Sequence, residues 1–418
     1  MKIYMKCVVI FILIMTLSML TSCQKRNDQS KRKNYSGNIN ILTDKDHKAQ
    51  FEFAAREFEK QYKRVSINVK VGTYDYKNSS SLFKNNNIDM FTLKDEDLQY
   101  IIDKNKKDIL NLTEDVSGYR GSIQSNEMHN CIIDGKVYAM PWDALPKLII
   151  YRRDVFKNAA VNPQDIKTWK DYIEVGNKLY QEKGAYFTGN YKQENNLNLI
   201  LANQLGSSYL TKDKKLDFKS EKWNRIFGTE KDIYKNSSVM NFYSKDELLS
   251  QAKDSRILAI VSTPYIAHDL MKLMPDAKDL WGVMEIPSFE PGGNVSVSFG
   301  GVNIVVNKNC EDKGVAEAFM KFALTDSKLQ IDLLNNYGRL PVYKNAYYFK
   351  DINKYISYYN SSIWSLFIKS EQGSYNMEYT EKFPDIKDSI NTILNESNIK
   401  NTDSKTLISN LEKINVEK

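Results

Sequence analysis

Apolar residues recur along this chain with two periods. "NINIL" (Asn38–Leu42) alternates as a short strand, and Phe51, Ala54, Ala55, Phe58 and Tyr62 then fall at helical spacing, predicting an amphipathic helix over Asp46–Lys63. "RVSINVKV" places Val65, Ile67, Val69 and Val71 on one side of a strand, and "NIDMFTL" reads as another. "DEDLQYIIDKN" reads as a helix whose acidic first turn suits the positive end of the helix dipole. Strand, helix, strand, strand, helix argues for an α/β sheet with helical crossovers. Ligands of such sheets sit beyond the carboxyl ends of the strands, here near Thr43–Lys45 and Thr92–Lys94.

Further on, Lys136–Met140 and Lys147–Tyr151 alternate as strands around a Pro141–Pro146 turn that holds Trp142 and Asp143 side by side. "TWKDYIEVGNKLYQEKG" sets Trp169, Tyr172, Ile173, Gly176 and Leu179 near one helix face. "RILAIVSTPYIAHDL" is a buried strand running through Thr263-Pro264-Tyr265 into a helix, and "LWGVMEIPSF" is a further strand. "GGNVSVSFGGVNIVVNKN" reads as two strands separated by Gly300-Gly301, "KGVAEAFMKFAL" as a helix and "NNYGRLPVYKNAYY" as an irregular loop. The tail from Ile356 is largely helical. Nearly four hundred residues beyond the amino-terminal segment exceed one usual core, so two domains are expected. With no low-complexity linker between them, ordinary strands must join them.

The amino terminus changes the picture of location. Lys2 and Lys6 precede the apolar run Val8–Leu20, too short to span a bilayer, which takes roughly 20 apolar residues; it reads as a secretory signal. The following "LTSC" resembles the bacterial lipobox, which makes Cys23 the expected lipidation site. An ordinary secretory signal with an incidental cysteine is the alternative. Residues 23–37 are polar and basic, a tether suited to an anionic membrane surface. The formal net charge of +7 gathers mostly before residue 34, in Lys2, Lys6, Lys25, Arg26, Lys31, Arg32 and Lys33. The rest is near neutral, and no nucleic-acid partner is implied. Cys131 and Cys310 are expected as unpaired, mostly buried thiols, although an oxidising compartment would let them pair if they met. His47, His129 and His268 show no ligand spacing, so no metal is expected.

The order of "DGKVYAMPWDALPKLIIYRRDVF", "TWKDYIEVGNKL", "ILAIVSTPY", "WGVMEIP", "FGGVNIVVNKN…GVAEAFMKFAL" and "YGRLPV" resembles the family 1 extracellular solute-binding proteins, the sugar-capturing lipoproteins of bacterial ABC importers, over roughly Ile39 to Ile414. The resemblance implies an α/β, periplasmic-binding-protein-like fold with two lobes joined by crossing strands and a ligand cleft between them. Residues 38–141 with 299–355 would form the N-terminal lobe, and 142–298 with 356–418 the C-terminal lobe. It also implies a cofactor-free monomer that is held at the membrane by a lipidated Cys23 and hands a carbohydrate to permease subunits.

By that resemblance the Pro141–Pro146 turn crosses the cleft floor. Trp142 would stack on a sugar ring and Asp143 would accept its hydroxyls; the alternatives are interlobe packing and a turn cap. "ENNLNLILANQLG" points to Tyr191, Glu194 and Asn195, "STPY" to Tyr265, the second crossing to Phe299, Gly300 and Gly301, and "YGRLP" to Arg339. Where many members carry Gly-x-x-Pro-Asp this chain has "NNNIDMF", and Thr43-Asp44-Lys45-Asp46 stands where many carry an aromatic. A polar upper cleft follows, pointing to an acidic or modified sugar. Two rival functions remain open. A glycoside-acting enzyme would need paired carboxylates, for which Asp143 and Glu194 are candidates that nothing marks as a pair. A ligand-sensing lipoprotein would need the same closing cleft.

Overall fold

The computed structural model describes residues 34–414 except 85, 86, 212, 214 and 237; the apolar run Val8–Leu20 and the expected lipidation site Cys23 lie outside the described residues. In chain order the strands are β1 (Ser36–Thr43), β2 (Arg64–Val71), β3 (Met90–Lys94), β4 (Ile132–Ile133), β5 (Lys136–Val137), β6 (Met140–Pro141), β7 (Leu148–Arg152), β8 (Tyr186–Tyr191), β9 (Val239–Phe242), β10 (Ile257–Ser262), β11 (Trp281–Met284) and β12 (Val302–Val306). Two five-stranded sheets result, in the orders β2-β1-β3-β12-β6 and β11-β7-β10-β8-β9. In the first, β1 runs parallel to β2 and β3, while β12 runs antiparallel to β3 and β6. In the second, β8, β9 and β10 are parallel and β7 is antiparallel to β10 and β11.

Burial explains why these segments are strands. Met90–Leu93 and all of Ile257–Ser262 are buried, as expected for central strands covered on both faces. The helix Lys48–Gln61 turns Phe51, Ala54, Ala55 and Phe58 into the first lobe's core. The helix Trp169–Lys183 opens on a reciprocal Thr168–Asp171 capping box and buries Trp169, Tyr172 and Leu179 in the second. Cys131 and Cys310 are free and buried.

Three elements differ from the sequence reading. Lys136–Met140 is not one strand: Lys136–Val137 pairs with Ile132–Ile133 in a separate hairpin, and only Met140–Pro141 joins the first sheet. The segment before Phe299 forms no strand, because the Val297 N–H is taken by the Ser370 hydroxyl at 3.1 Å. The expected loop at Asn335–Tyr337 continues the helix Ser327–Tyr337. That helix is shared between cores, with Leu329 and Leu333 in the first lobe's cluster and Ile331 and Leu334 in the second's.

Two of the segments in which the chain passes between lobes lie side by side. Pro146 bridges to Ser298, the Lys147 N–H donates to the Val297 carbonyl at 2.8 Å, and the Trp142 N–H donates to the Val302 carbonyl at 2.9 Å. Beside this crossing the shared helix ends at Gly338, with φ +68°. A β-carbon there would lie 2.7 Å from the Pro264 carbonyl oxygen and 2.5 Å from the His268 β-carbon. Gly338→Ala is therefore expected to cost at least about 1–2 kcal/mol, the left-handed penalty alone, read as a lowered denaturant midpoint.

Candidate functional site: the cleft between the lobes

A cavity of about 290 Å³ lies between the lobes, over the crossing segments. The first lobe contributes residues just past strand ends: Asp44, Asp46 and His47 after β1, Thr73 after β2, and Lys94, Asp95 and Glu96 where β3 passes into the helix Asp95–Asn105. The second lobe contributes Tyr191, Gln193, Glu194, Asn196 and Leu199 at the join of β8 with the helix Leu197–Gln204, together with Tyr265 and Lys387. Leu145, Phe299, Gly300, Gly301 and Val302 form the floor. This is the carboxyl-end position where α/β sheets bind ligands.

The lobes also touch each other directly, in part through residues that line the cavity. Glu96 pairs with Lys387 at 2.5 Å and Asp46 with Lys245 at 3.3 Å, while the Tyr76 hydroxyl donates to Asp388 at 2.7 Å.

From the cavity wall to beneath its floor runs a chain of polar groups, buried except for the part-exposed Asp44. His47 Nδ1 faces Asp44 at 2.8 Å and its Nε2 faces Asp143 at 3.0 Å. The Tyr265 hydroxyl donates to the same Asp143 oxygen at 2.5 Å, and the Val302 N–H donates to the other at 2.7 Å. Burial opposes the His47 charge, but the bonds to Asp143 and Asp44 win and raise its pKa to about 10. Against their own desolvation, the Asp143 carboxyl is held below its usual range by His47, Tyr265 and the Val302 amide, and Asp44 is lowered to about 2 by His47. At neutral pH this is a positive imidazolium between two carboxylates, tying β1's end, the crossing and the second lobe together.

Four expected ligand contacts are corrected. Trp142 is fully buried: one face stacks on Phe51 with centroids 3.9 Å apart, the Arg339 guanidinium lies 3.9 Å over the ring, and the indole N–H donates to Gln50 Oε1 at 2.9 Å. Neither face is free for a sugar ring. Asp143 is 1 % exposed, with both oxygens occupied as above, so it accepts protein donors rather than ligand hydroxyls. Arg339 is likewise fully buried and donates to the Trp142 carbonyl, and burial lowers its pKa to about 10. Asn195 turns inward and donates to the Val261 carbonyl at 2.8 Å.

Tyr191, Glu194, Tyr265, Phe299, Gly300 and Gly301 do line the cavity. Glu194 Oε2 accepts from the Thr263 hydroxyl at 2.9 Å; burial raises its pKa, offset in part by Lys147. Lys147, fully buried, donates to the Phe299 carbonyl at 3.3 Å and sits 4.7 Å from that ring, bracing the floor from beneath. Gly301 has φ +115°, and a β-carbon there would lie 2.7 Å from Asp143 Oδ1, so the floor cannot carry a side chain at this point. Burial pushes the Asp95 carboxyl up to about 7, resisted by amide bonds from Asn303 and Asn130.

The strand-end rule points at Thr43–Lys45 and Thr92–Lys94 and does not single out His47, Asp95 or Glu96. The polar run "TDKDH" before an apolar helix was the available signal for His47. Nothing in the sequence signals Lys387, which reaches the cleft from the tail helix Phe383–Ile393.

Two α/β lobes, joined by paired crossings and enclosing a polar cavity at their strand ends, define a two-lobed ligand-binding protein. The family model for bacterial extracellular solute-binding proteins matches residues 54–359, and the chain belongs to that family. Among curated relatives, the arabinooligosaccharide-binding protein of Bacillus subtilis (strain 168) is 24% identical over 269 residues, 62% of this chain and 58% of that protein. The arabinooligosaccharide-binding protein of Halalkalibacterium halodurans is 20% identical over 259 residues, 59% of this chain and 58% of that one. The aligned regions thus span little more than half of these relatives. The fold is shared with maltose-bound MalE3 of T. maritima, at TM-score 0.74 and 16% identity over 90% of this chain and 98% of that one. It is shared also with an ABC substrate-binding protein of Listeria monocytogenes in complex with cycloalternan, at TM-score 0.71 and 18% identity over 90% and 97%. Among the described residues no helix is long and apolar enough to cross a membrane.

Proposed function

We propose that this protein captures a neutral saccharide in the interlobe cleft and delivers it to an ABC permease, held at the cell surface through Cys23. The observation that carries the reading is the meeting of Tyr191, Tyr265 and Phe299 with the Glu96 and Glu194 carboxylates around one cavity. Aromatic faces pack on the apolar faces of sugar rings, and carboxylates accept their hydroxyls. The naming of two relatives for arabinooligosaccharides supports testing pentose oligomers beside glucose oligomers.

Charge argues against the acidic sugar expected from the sequence. Leaving aside Asp95, which burial brings to about 7, the lining carboxylates Asp44, Asp46, Glu96 and Glu194 still outnumber the lining cations His47, Lys94 and Lys387, and a uronate would meet net repulsion. An enzymatic role for Asp143 is disfavoured by its occupied oxygens, since a catalytic carboxyl must reach the substrate.

A thermal-shift screen over arabino-, malto- and galacto-oligosaccharides tests the reading, because a ligand of the native state raises the melting temperature. At least one neutral oligomer is expected to do so, and its uronic-acid counterpart to bind at least about tenfold more weakly, on the order of one lost charge-compatible contact. Uronates outranking every neutral sugar would refute the charge argument. Mass spectrometry of the mature protein checks the anchor: a diacylglyceryl group on Cys23 is expected, and an unlipidated mature terminus elsewhere would exclude it.

A further inference from the structure

A second cavity of about 180 Å³ opens off the cleft into the first lobe, sharing Asp44, Thr73, Lys94 and Val302 with it. Its inner wall is apolar: Leu42, Leu82, Phe91, Leu93 and Val302. Asp44, Thr73 and Lys94 stand at the mouth it shares with the cleft, and the hydroxyls further in are bonded within the protein. The Thr92 hydroxyl donates to Thr43 Oγ1 at 2.9 Å, and the Tyr74 hydroxyl donates to Asp97 at 2.9 Å while accepting the Lys94 N–H at 2.8 Å. A hydroxylated ring pushed inside would leave its own groups unpaired, at the cost of their desolvation. Apolar chambers of about 150 Å³ in protein cores stay dry and take up benzene, so this one matches an apolar group of that size.

We propose that this chamber is a separate binding site, taking a benzene-sized apolar substituent carried by a ligand whose sugar lies in the main cleft. The ligand class is then a glycoside with an aromatic or short acyl group rather than a bare oligosaccharide. The chamber wall stands on its own geometry, while the sugar half rests on the function proposed above.

The test pairs two probes on the intact protein. Benzene alone is titrated while the methyl resonances of Leu42, Leu82, Leu93 and Val302 are followed, and methyl and phenyl glycosides of arabinose, glucose and galactose are compared by calorimetry. Benzene is expected to shift those methyls, and the phenyl glycoside of whichever sugar binds should exceed its methyl partner by about 10- to 100-fold, the gain from burying one aromatic ring. Leu82→Trp, which fills the chamber from a residue outside the main cleft, should abolish the benzene shifts and the phenyl advantage while leaving the methyl glycoside unchanged. Unshifted methyls at saturating benzene, or equal phenyl and methyl affinities, would overturn the proposal. Benzene binding with every glycoside silent would remove the carbohydrate reading and leave a site for an apolar group alone.

Discussion

Trp142→Ala is expected to lower folding stability by about 3–5 kcal/mol, the usual cost of truncating a large buried aromatic. The indole fills the space between Phe51 and Arg339 and satisfies Gln50. Removing it opens a void, exposes nothing to solvent, and strips the buried Arg339 guanidinium of its ring partner. Because no face of Trp142 borders the cavity, the folded fraction should bind ligand nearly as the parent does. The check is a denaturant melt beside a calorimetric titration. An unchanged midpoint with lost affinity would show instead that the indole meets the ligand.

Asp143→Ala should cost a similar amount, about 3–5 kcal/mol, because removing one partner of a buried ion pair strands the other. His47 Nε2, the Tyr265 hydroxyl and the Val302 amide would all lose this acceptor, leaving His47 with Asp44 alone. The pH dependence gives a second signature. His47 is raised from 6.5 to about 10 on folding, so its contribution is fully present below pH 6.5 and is lost as pH rises toward 10. Asp44 is lowered from 3.8 to about 2 and Asp143 is lowered as well, so their contributions are present above pH 3.8 and fade as pH falls below it. Stability from this cluster should therefore plateau between about pH 4 and 6.5. Asp143→Asn keeps the shape and removes the charge, and it should flatten the alkaline limb. A parent protein whose stability does not change between pH 6.5 and 10 would contradict a charged His47.

Strand and helix identities were legible wherever burial imposed a pattern: Val65 and Ile67 on β2, the apolar run Ile257–Val261 of the wholly buried β10, and Phe51 to Phe58 on their helix. The proline-bounded turn was legible as a turn, and its place as a crossing between lobes came through the family resemblance. The role of Trp142 was not, because an aromatic beside a carboxylate in a turn looks the same whether the ring faces a cleft or is covered by a distant arginine. Phe51 and Arg339 lie far from Trp142 in sequence, and only the fold brings them to its two faces. Asp143 misled for the same reason, since its histidine partner comes from the end of β1. Tyr191, Glu194 and Phe299 were reachable through family resemblance because their segments keep the order of landmarks. Lys387 and the chamber beneath Tyr74 depend on tertiary packing and leave no local pattern.

The central claim is that the interlobe cleft holds a saccharide through Glu194 and its aromatic neighbours. Its most direct test is calorimetric titration of the neutral arabino- and malto-oligosaccharides into the parent protein and into Glu194→Ala. The account predicts that at least one oligomer binds the parent and binds Glu194→Ala about 10- to 100-fold more weakly, the loss expected of a hydrogen bond to a charged acceptor. Equal affinity for both proteins, or heat from none of the oligomers with the parent, would contradict it.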